Sequence, residues 1–450
     1  MDFIPHTTTE TRDMLDAIGV NDAHDLFRMI PDSLKNAQIP FPPPLSEMEV
    51  AAFMRAAAQE NTGSGMAVFA GGGAYDHFIP QAAPALIARG DFHTAYTPYQ
   101  AEASQGTLQA IYEFQTLMCR LTGMEVANAS MYDGASALAE AALMACRLTR
   151  KEKILVSTTI NPHYRRVMRT YLEAPGIKII EIPQNGGVVS KNDLQQELGK
   201  DIAAVFLQYP NYFGILEPIE TIAEMCKTEG SLLGVSVYPL SLGLLQPPGT
   251  WSVDFVVGDL QSLGLSLQFG GPYAGFIAIR EKYVRQLPGR LAGRTKDADG
   301  RTGYVLTLQT REQHIRRAKA TSNICTNQAL CALAASMYLS LMGPKGLRQA
   351  AERSVRNAHD LHTRLCGLNG VRSAFDRPFF NEFVIELSKP ISKWLEYARK
   401  EKIIAGIHIE PGLVNEKEAL LVCATEKTSP TAIDHYVKAL ANFLKNCRVS

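Results

Sequence analysis

Between residues 66 and 310 the chain alternates short apolar runs with amphipathic stretches, and this limits its possible folds more than any other feature. Strand-like runs fall at 154–160, 177–183, 203–209, 232–238, 255–259 and 274–280. Several are apolar on both parities, as a strand covered on two faces must be. Helical stretches at 136–148, 163–172, 191–198 and 219–228 lie between most of them. Such β/α alternation predicts a mostly parallel sheet with crossover helices. Residues 311–450 follow another rhythm: helical at 328–341 and 346–368, strand-like at 382–387, helical at 393–400, strand-like at 419–423 and helical at 430–444. That pattern suits a smaller α+β domain. Near the start, the run from Ile39 to Pro44 carries three consecutive prolines and favours an extended arm. Ser46 and Glu49 then make a capping-box pattern that opens a helix to about Gln59. The predicted division is an N-terminal arm with helices (1–65), a large α/β domain (66–325) and a small C-terminal α+β domain (326–450).

Composition narrows the function. Hydrophobic residues make up 46% and charged residues 20% of the 450, ordinary for a soluble globular chain. Lys+Arg and Asp+Glu both number 45. A zero balance argues against nucleic acid or an anionic membrane as the main partner, since both reward a basic excess. The eight cysteines (119, 146, 226, 325, 331, 366, 423, 447) contain no CxxC and no Cys/His pair at zinc spacing. They read as reduced, mostly buried thiols of a cytoplasmic protein with no metal site. The N-terminus lacks the basic and apolar regions of an export signal, and no run of 18 apolar residues exists to span a membrane.

The stretch from Phe255 to Arg280 reads as strand, polar turn, Gly270-Gly271-Pro272 and strand. It resembles the layout in which enzymes of the pyridoxal-phosphate (PLP) aminotransferase-like fold, fold type I, keep their Schiff-base lysine. Here that position holds Ser262, and no lysine occurs between Lys227 and Lys282. A hydroxyl forms no imine, so on this reading the chain alone does not run PLP chemistry. It looks like half of an enzyme.

Three segments carry a sharper resemblance: Thr94–Gln109 (TAYTPYQAEASQGTLQ), Asn128–Ala141 (NASMYDGASALAEA) and Leu306–Ala329 (LTLQTREQHIRRAKATSNICTNQA). Together they resemble the glycine cleavage system P-protein family, in its two-chain form and on the subunit 1 side. The likeness runs from the Phe3-Ile4-Pro5-His6 start to the C-terminal helix. It implies a fold type I architecture and participation in PLP-dependent decarboxylation of glycine. CO2 is released and the aminomethyl group passes to the lipoyl arm of the H-protein. It also implies that PLP sits on a lysine-bearing partner, subunit 2, in an α2β2 assembly with sites between unlike subunits.

The resemblance also directs attention to particular residues. The turn from Ser130 to Ser136 leads into a helix at about Gly134, where the catalytic paralogue cradles the cofactor phosphate on helix N–H groups. Asp133 at that cap competes with a phosphate, and an ordinary N-cap is the plainer reading. Tyr238 stands where the fold places an aspartate against the pyridine nitrogen, and it reads as a packing residue. The loop Tyr96–Gly106 is too polar for a core segment and too aromatic for a bland surface. Its Tyr96, Tyr99, Gln100, Glu102, Ser104 and Gln105 are the candidate groups donated to the partner's catalytic site, against the alternative of an interface loop that only packs. Arg311, Glu312, His314, Arg316, Arg317 and Lys319 follow as helical faces 311/314/318 and 312/316/319–320. After them, Thr321, Ser322 and Asn323 are candidate donors to the partner's PLP phosphate. A salt-bridged helix at the subunit contact is the competing reading, and His314 is either a base or a structural histidine.

Two further motifs carry less. Gly71-Gly72-Gly73 lacks a dinucleotide fingerprint and reads as a turn with Tyr75, Asp76 and His77 packed nearby. Lys296–Arg301 lacks the acids of a calcium loop and reads as a tight turn in an exposed insertion. A pure scaffold that docks the H-protein, and a self-sufficient PLP enzyme of other specificity, are the competing functions. An NAD-linked dehydrogenase is disfavoured by the missing glycine fingerprint.

Overall fold

The computed structural model describes residues 5–35, 40–324, 326–414 and 417–446. Phe3, Ile4, Ile39, Cys325 and Cys447, named above, lie outside them. The chain divides into two compact units, 1–64 and 65–450. In the first, α1 (Thr8–Ile18) and α2 (Glu47–Gln59) each open on a capping box, Thr7 with Glu10 and Ser46 with Glu49. The second box is the one the sequence predicts. No residue of either helix is buried.

The second unit is built on a seven-stranded sheet. Helix α3 (Gln105–Thr122) precedes β1 (Val126–Ala127), and α4 (Gly134–Thr149) leads to β2 (Lys153–Ser157). Then come α5 (Pro162–Glu173), β3 (Lys178–Ile182), α6 (Lys191–Glu197), β4 (Ile202–Tyr209), α7 (Ile219–Glu229) and β5 (Leu232–Val237). The sheet closes with β6 (Phe255–Asp259) and β7 (Gly275–Ile279). Its order is β1-β7-β6-β5-β4-β2-β3. Strands β6, β5, β4, β2 and β3 pair in parallel, while β7 runs antiparallel to β6 and β1. The α/β fold with a mostly parallel sheet is as the alternation requires. Alternate residues of one strand enter opposite cores: Val205 and Leu207 pack with α3 and α7, Ala204 and Phe206 with α4 and α5. This is why these strands are apolar on both parities.

After β7 a hairpin pairs β8 (Ala292–Lys296) with β9 (Thr302–Leu306). The Lys296–Arg301 turn joins the two strands, and Asp297 accepts N–H bonds from Asp299 and Arg301. Residues 311–320 depart from the helix the charge spacing suggests. They form a one-turn helix, Gln313–Arg316, and a 3₁₀ turn, Arg317–Lys319, with Arg317 at φ 52. A positive-φ arginine ends a helix, so the two helical faces do not exist; Arg311 and Glu312 turn inward while residues 313–319 are exposed.

Residues 329–366 form the two helical stretches predicted, joined at a non-helical Gly343 (φ 58) followed by Pro344, and are labelled together α8 (Ala329–Cys366). Its first half packs in the sheet's core through Tyr338 and Leu347, its second in the C-terminal core through Leu361 and Leu365. That C-terminal layer is a four-stranded sheet of β10 (Val371–Ser373), β11 (Glu382–Leu387), β12 (Ile407–Ile409) and β13 (Ala419–Cys423), ordered β10-β11-β13-β12. It is covered by α9 (Ile391–Lys400) and α10 (Pro430–Asn446), with buried Trp394, Tyr436 and Phe443. Ala67 and Val68 pair with Ile403 and Ile404, so the chain just after the N-terminal unit joins this C-terminal layer.

Candidate active site

The carboxyl ends of β4, β5 and β6 meet the start of α4, where an open α/β sheet places its ligand crevice. Ser262 lies there, in the turn that follows β6 after Asp259, and it is only 2% exposed. Its hydroxyl oxygen has no hydrogen-bond partner among the described residues. The cleft it lines, with Asn161, Gln208, Asp259 and Tyr238, leaves about 20 Å³ of solvent space. That is room for one water molecule or little more.

Carboxylates occupy the place where a phosphate would sit. Asp133 caps α4 by accepting the Ser136 N–H at 2.7 Å, and Ser136 Oγ accepts the Asp133 N–H at 3.2 Å. Asp259, at the end of β6, accepts the Gly134 N–H at 2.9 Å and the Gln261 N–H at 2.9 Å. Only glycine permits this approach at 134, because a Cβ there would stand 3.0 Å from the Asp259 nitrogen. Burial pushes the Asp259 carboxyl up to about 7; the two N–H bonds oppose the shift and Asp133 adds to it. The helix end thus supplies its donors to the protein's own acids.

Aromatic rings line the same crevice. Tyr238 stacks on Tyr75. Its hydroxyl meets Nε2 of buried His77, whose Nδ1 lies 2.7 Å from Glu426. The Tyr75 hydroxyl donates to Glu382 at 2.8 Å, and that carboxylate also accepts the Gly72 N–H at 2.6 Å. Burial pushes Glu382 up to about 7, against the pull of those two donors. Burial would likewise raise Glu426, but the His77 contact and the Phe78 N–H hold it below its ordinary value. With no imine-forming lysine, the anion position taken by acids and the ring position taken by tyrosines, these residues do not fit PLP. Tyr238 is a packing residue, as expected, and Tyr75, Asp76 and His77 pack near the glycine turn.

The second constellation lies around the Tyr96–Gly106 loop. Tyr96 is 83% exposed and Tyr99 54%. Gln100 and Glu102 are exposed, and Ser104 is half-buried just before α3. Gln105 faces inward: its amide donates to Ala101 O at 2.7 Å and Tyr304 O at 2.8 Å and accepts the Tyr304 N–H at 2.8 Å. It fastens the loop to the β8–β9 hairpin. Tyr99 reaches the other singled-out segment, because its ring stands edge-on to His314 with centroids 5.9 Å apart. Its hydroxyl accepts from Arg290 Nη2 at 3.2 Å. Arg311 turns inward onto the Leu308 and Gly289 carbonyls at 3.0 and 3.2 Å. Thr321 N–H donates to Arg311 O at 3.2 Å, Ser322 Oγ accepts the Ile324 N–H at 3.1 Å, and Asn323 is exposed. Burial raises the Glu140 carboxyl, and a bond from the Ser322 hydroxyl opposes this.

Sequence reasoning passed over Arg290, Asn327, Asp259 and Glu382. A single arginine between apolar Leu287 and Leu291 was the available signal for the first. An aspartate closing the apolar run 255–258 was the signal for the third.

A sequence model described as glycine cleavage system P-protein matches residues 1–440. The chain belongs to the glycine cleavage system P-protein family. It is 49% identical over 436 residues to the probable glycine dehydrogenase (decarboxylating) subunit 1 of Desulforamulus reducens, covering 96% of this chain and 98% of that one. The protein of the same description from Desulfitobacterium hafniense is 49% identical over 442 residues, covering 98% and 99%. An inhibitor-bound crystal structure of the glycine decarboxylase P-protein superposes with a TM-score of 0.91 at 45% identity, over 98% of this chain and 100% of that one. Lactobacillus brevis glutamate decarboxylase shares the fold alone, with a TM-score of 0.72 at 12% identity over 92% of this chain and 96% of that one. The P-protein fold here is therefore that of PLP-dependent fold type I enzymes. Among the described residues no group of His, Cys, Asp and Glu is arranged to hold a metal ion. No helix among them is long and apolar enough to cross a membrane.

Proposed function

We propose that this P-protein chain is the subunit without PLP in a two-chain glycine dehydrogenase (decarboxylating), acting only with a lysine-bearing partner. In the assembled α2β2 enzyme, glycine loses CO2 and its aminomethyl group passes to the lipoyl arm of the H-protein. PLP is carried by the partner subunit, and the compartment is the cytoplasm. The observation that carries the reading is Ser262, buried at the Schiff-base position with tyrosines and acids in place of a cofactor. Tyr96, Tyr99, Gln100, Glu102 and Ser104 supply hydrogen bonds or proton relay at the partner's site, with Gln105 holding their loop. Thr321 and Asn323 are the candidate donors to the partner's PLP phosphate; Ser322, a third candidate, would first have to release its hydroxyl from Glu140.

The test is reconstitution. The chain is purified alone and with its partner, and imine absorbance and glycine/bicarbonate exchange with lipoylated H-protein are recorded. A colourless, inactive chain that gains exchange only in the mixture is expected; a yellow chain active alone overturns the reading. A pure docking subunit is separated by Tyr96→Phe, Glu102→Gln and Ser104→Ala. Loss of exchange with assembly intact excludes it, whereas full exchange in all three establishes it.

A further inference from the structure

Arg290 is 3% exposed. A guanidinium stays charged at any physiological pH, and burying it is costly unless its surroundings compensate. Three chain segments converge on it. Nη2 donates to the Tyr99 hydroxyl at 3.2 Å, and the guanidinium carbon lies 5.5 Å from the Tyr99 ring centre. Nη1 donates to Asn327 Oδ1 at 3.4 Å. Nε makes no hydrogen bond among the described residues and faces the buried Glu312 carboxylate at 3.6 Å. His314 closes the circuit, with Nδ1 3.6 Å from Glu312 and its ring against Tyr99.

The circuit is anchored in the segment between β1 and α4. Asn327 Nδ2 donates to Ala129 O and to Ser130 Oγ, each at 3.2 Å, and the Gln328 N–H donates to Ser130 Oγ at 3.1 Å. The Ala129 N–H donates to the Arg290 carbonyl at 2.9 Å. One side chain therefore joins the exposed Tyr96–Gly106 loop, the broken turns of 309–323 and the segment that leads from β1 into α4. Neither surface segment has the periodic apolar face of a regular element to hold it down. A planar fork serves three partners at once; a lysine ammonium, a point charge on a flexible stem, does not.

We infer that Arg290 is a positioning residue that fixes the Tyr96–Gly106 loop and the 309–323 segment in one mutual geometry for the partner's active site. The inference rests on the proposed role of those segments, and its test separates the two. Arg290→Lys, Tyr99→Phe and the double variant are reconstituted, as full chains, with the PLP-bearing partner and lipoylated H-protein. Arg290→Lys is expected to assemble at the wild-type concentration, to keep the glycine KM within about threefold and to lower kcat about tenfold or more, because misplacement affects the reacting geometry more than binding. Tyr99→Phe lowers kcat in the same direction. The double variant loses less than the two single losses combined, since both changes remove the same Arg290–Tyr99 contact. Hydrogen exchange in the full chain adds a readout independent of turnover: in Arg290→Lys, amides of 96–106 and 309–323 exchange faster together.

Full turnover by Arg290→Lys overturns the inference, as does loss of assembly with unchanged kcat per assembled complex. Additive effects in the double variant, or faster exchange in only one of the two segments, also overturn it. If Tyr96→Phe, Glu102→Gln and Ser104→Ala are fully active while Arg290→Lys loses turnover and loosens both segments, the loop's chemical role fails and the positioning role stands, acting through 309–323. Should Arg290→Lys fail to fold, Tyr99→Phe decides: unchanged kcat and unchanged exchange overturn the inference.

Discussion

Tyr238 stacks on Tyr75 with ring centroids 4.2 Å apart and planes 25° apart, and the pair lines the crevice at the carboxyl ends of the parallel strands. Both phenols are fully buried, which raises their pKa values well above the ordinary one, and nearby acids add to the effect. They remain neutral donors to Glu382 and His77 across the physiological range. The pair is a structural plug, and its polar tips are what make it specific.

Tyr238→Phe keeps the stack and removes one hydroxyl. Nε2 of His77 is then left buried without its partner. The expected cost is about 1–3 kcal/mol of stability, the penalty for stranding a buried polar atom. Urea denaturation measures it; a variant as stable as the wild type would show that His77 finds another partner.

Ser262→Lys restores the imine-forming amine without restoring the site. Tyr75 and Tyr238 still occupy the ring position, and Asp133 and Asp259 still hold the N–H groups at the start of α4. The purified variant mixed with PLP is expected to stay colourless at that position. A visible imine band, fixed by borohydride and mapped to residue 262, would mean that the tyrosine plug yields.

Glu382→Gln reports on pH. Burial lifts the Glu382 carboxyl from its ordinary 4.5 to about 7. Between those values the unfolded chain has released the proton and the folded chain keeps it, so stability falls as pH rises, then levels off above about 7. One such group contributes at most about 1.4 kcal/mol per pH unit across that window. Glutamine accepts the Gly72 N–H and has no proton to lose. The stability of Glu382→Gln relative to wild type should therefore grow from pH 5 to 7 and then hold constant. Asp259 titrates with the same sign in both proteins and cancels in the difference. Denaturation midpoints at four pH values suffice, and a difference independent of pH would refute the assignment.

Gln105→Ala severs the loop from the hairpin. It removes the bonds to Tyr304 N–H and O and to Ala101 O. A loss of about 1–3 kcal/mol is expected from the stranded backbone groups. Faster hydrogen exchange at the Tyr304 amide localises it. An unchanged Tyr304 amide would show that the hairpin stands without Gln105.

Much of this architecture was readable from the residues. Strands two-sided in their apolar pattern, such as 203–209, and the capping box at Ser46 and Glu49 are local signals, and each element formed within a few residues of its expected place. The helix suggested for 311–320 did not form. Charge spacing describes which faces a helix would have, but a positive-φ Arg317 and the inward pull on Arg311 from the Leu308 and Gly289 carbonyls limit it to the single turn Gln313–Arg316. Of hairpin 292–306 only the turn at 296–301 was read, because its strands are five residues each, carry Gly293 and Gly303 and show no alternating apolar pattern.

The sequence alone determined that no lysine stands at residue 262 and that the chain alternates strand and helix, since residue identity and periodicity are properties of the chain itself. Only the tertiary structure decided what fills the crevice and what holds the loop. Asp259 lies 125 positions from the Gly134 N–H it accepts. Arg290 lies 191 positions from the Tyr99 hydroxyl. Contacts over such separations leave no periodic trace, because they arise where strand ends and loops are brought together by burial of the sheet's two faces.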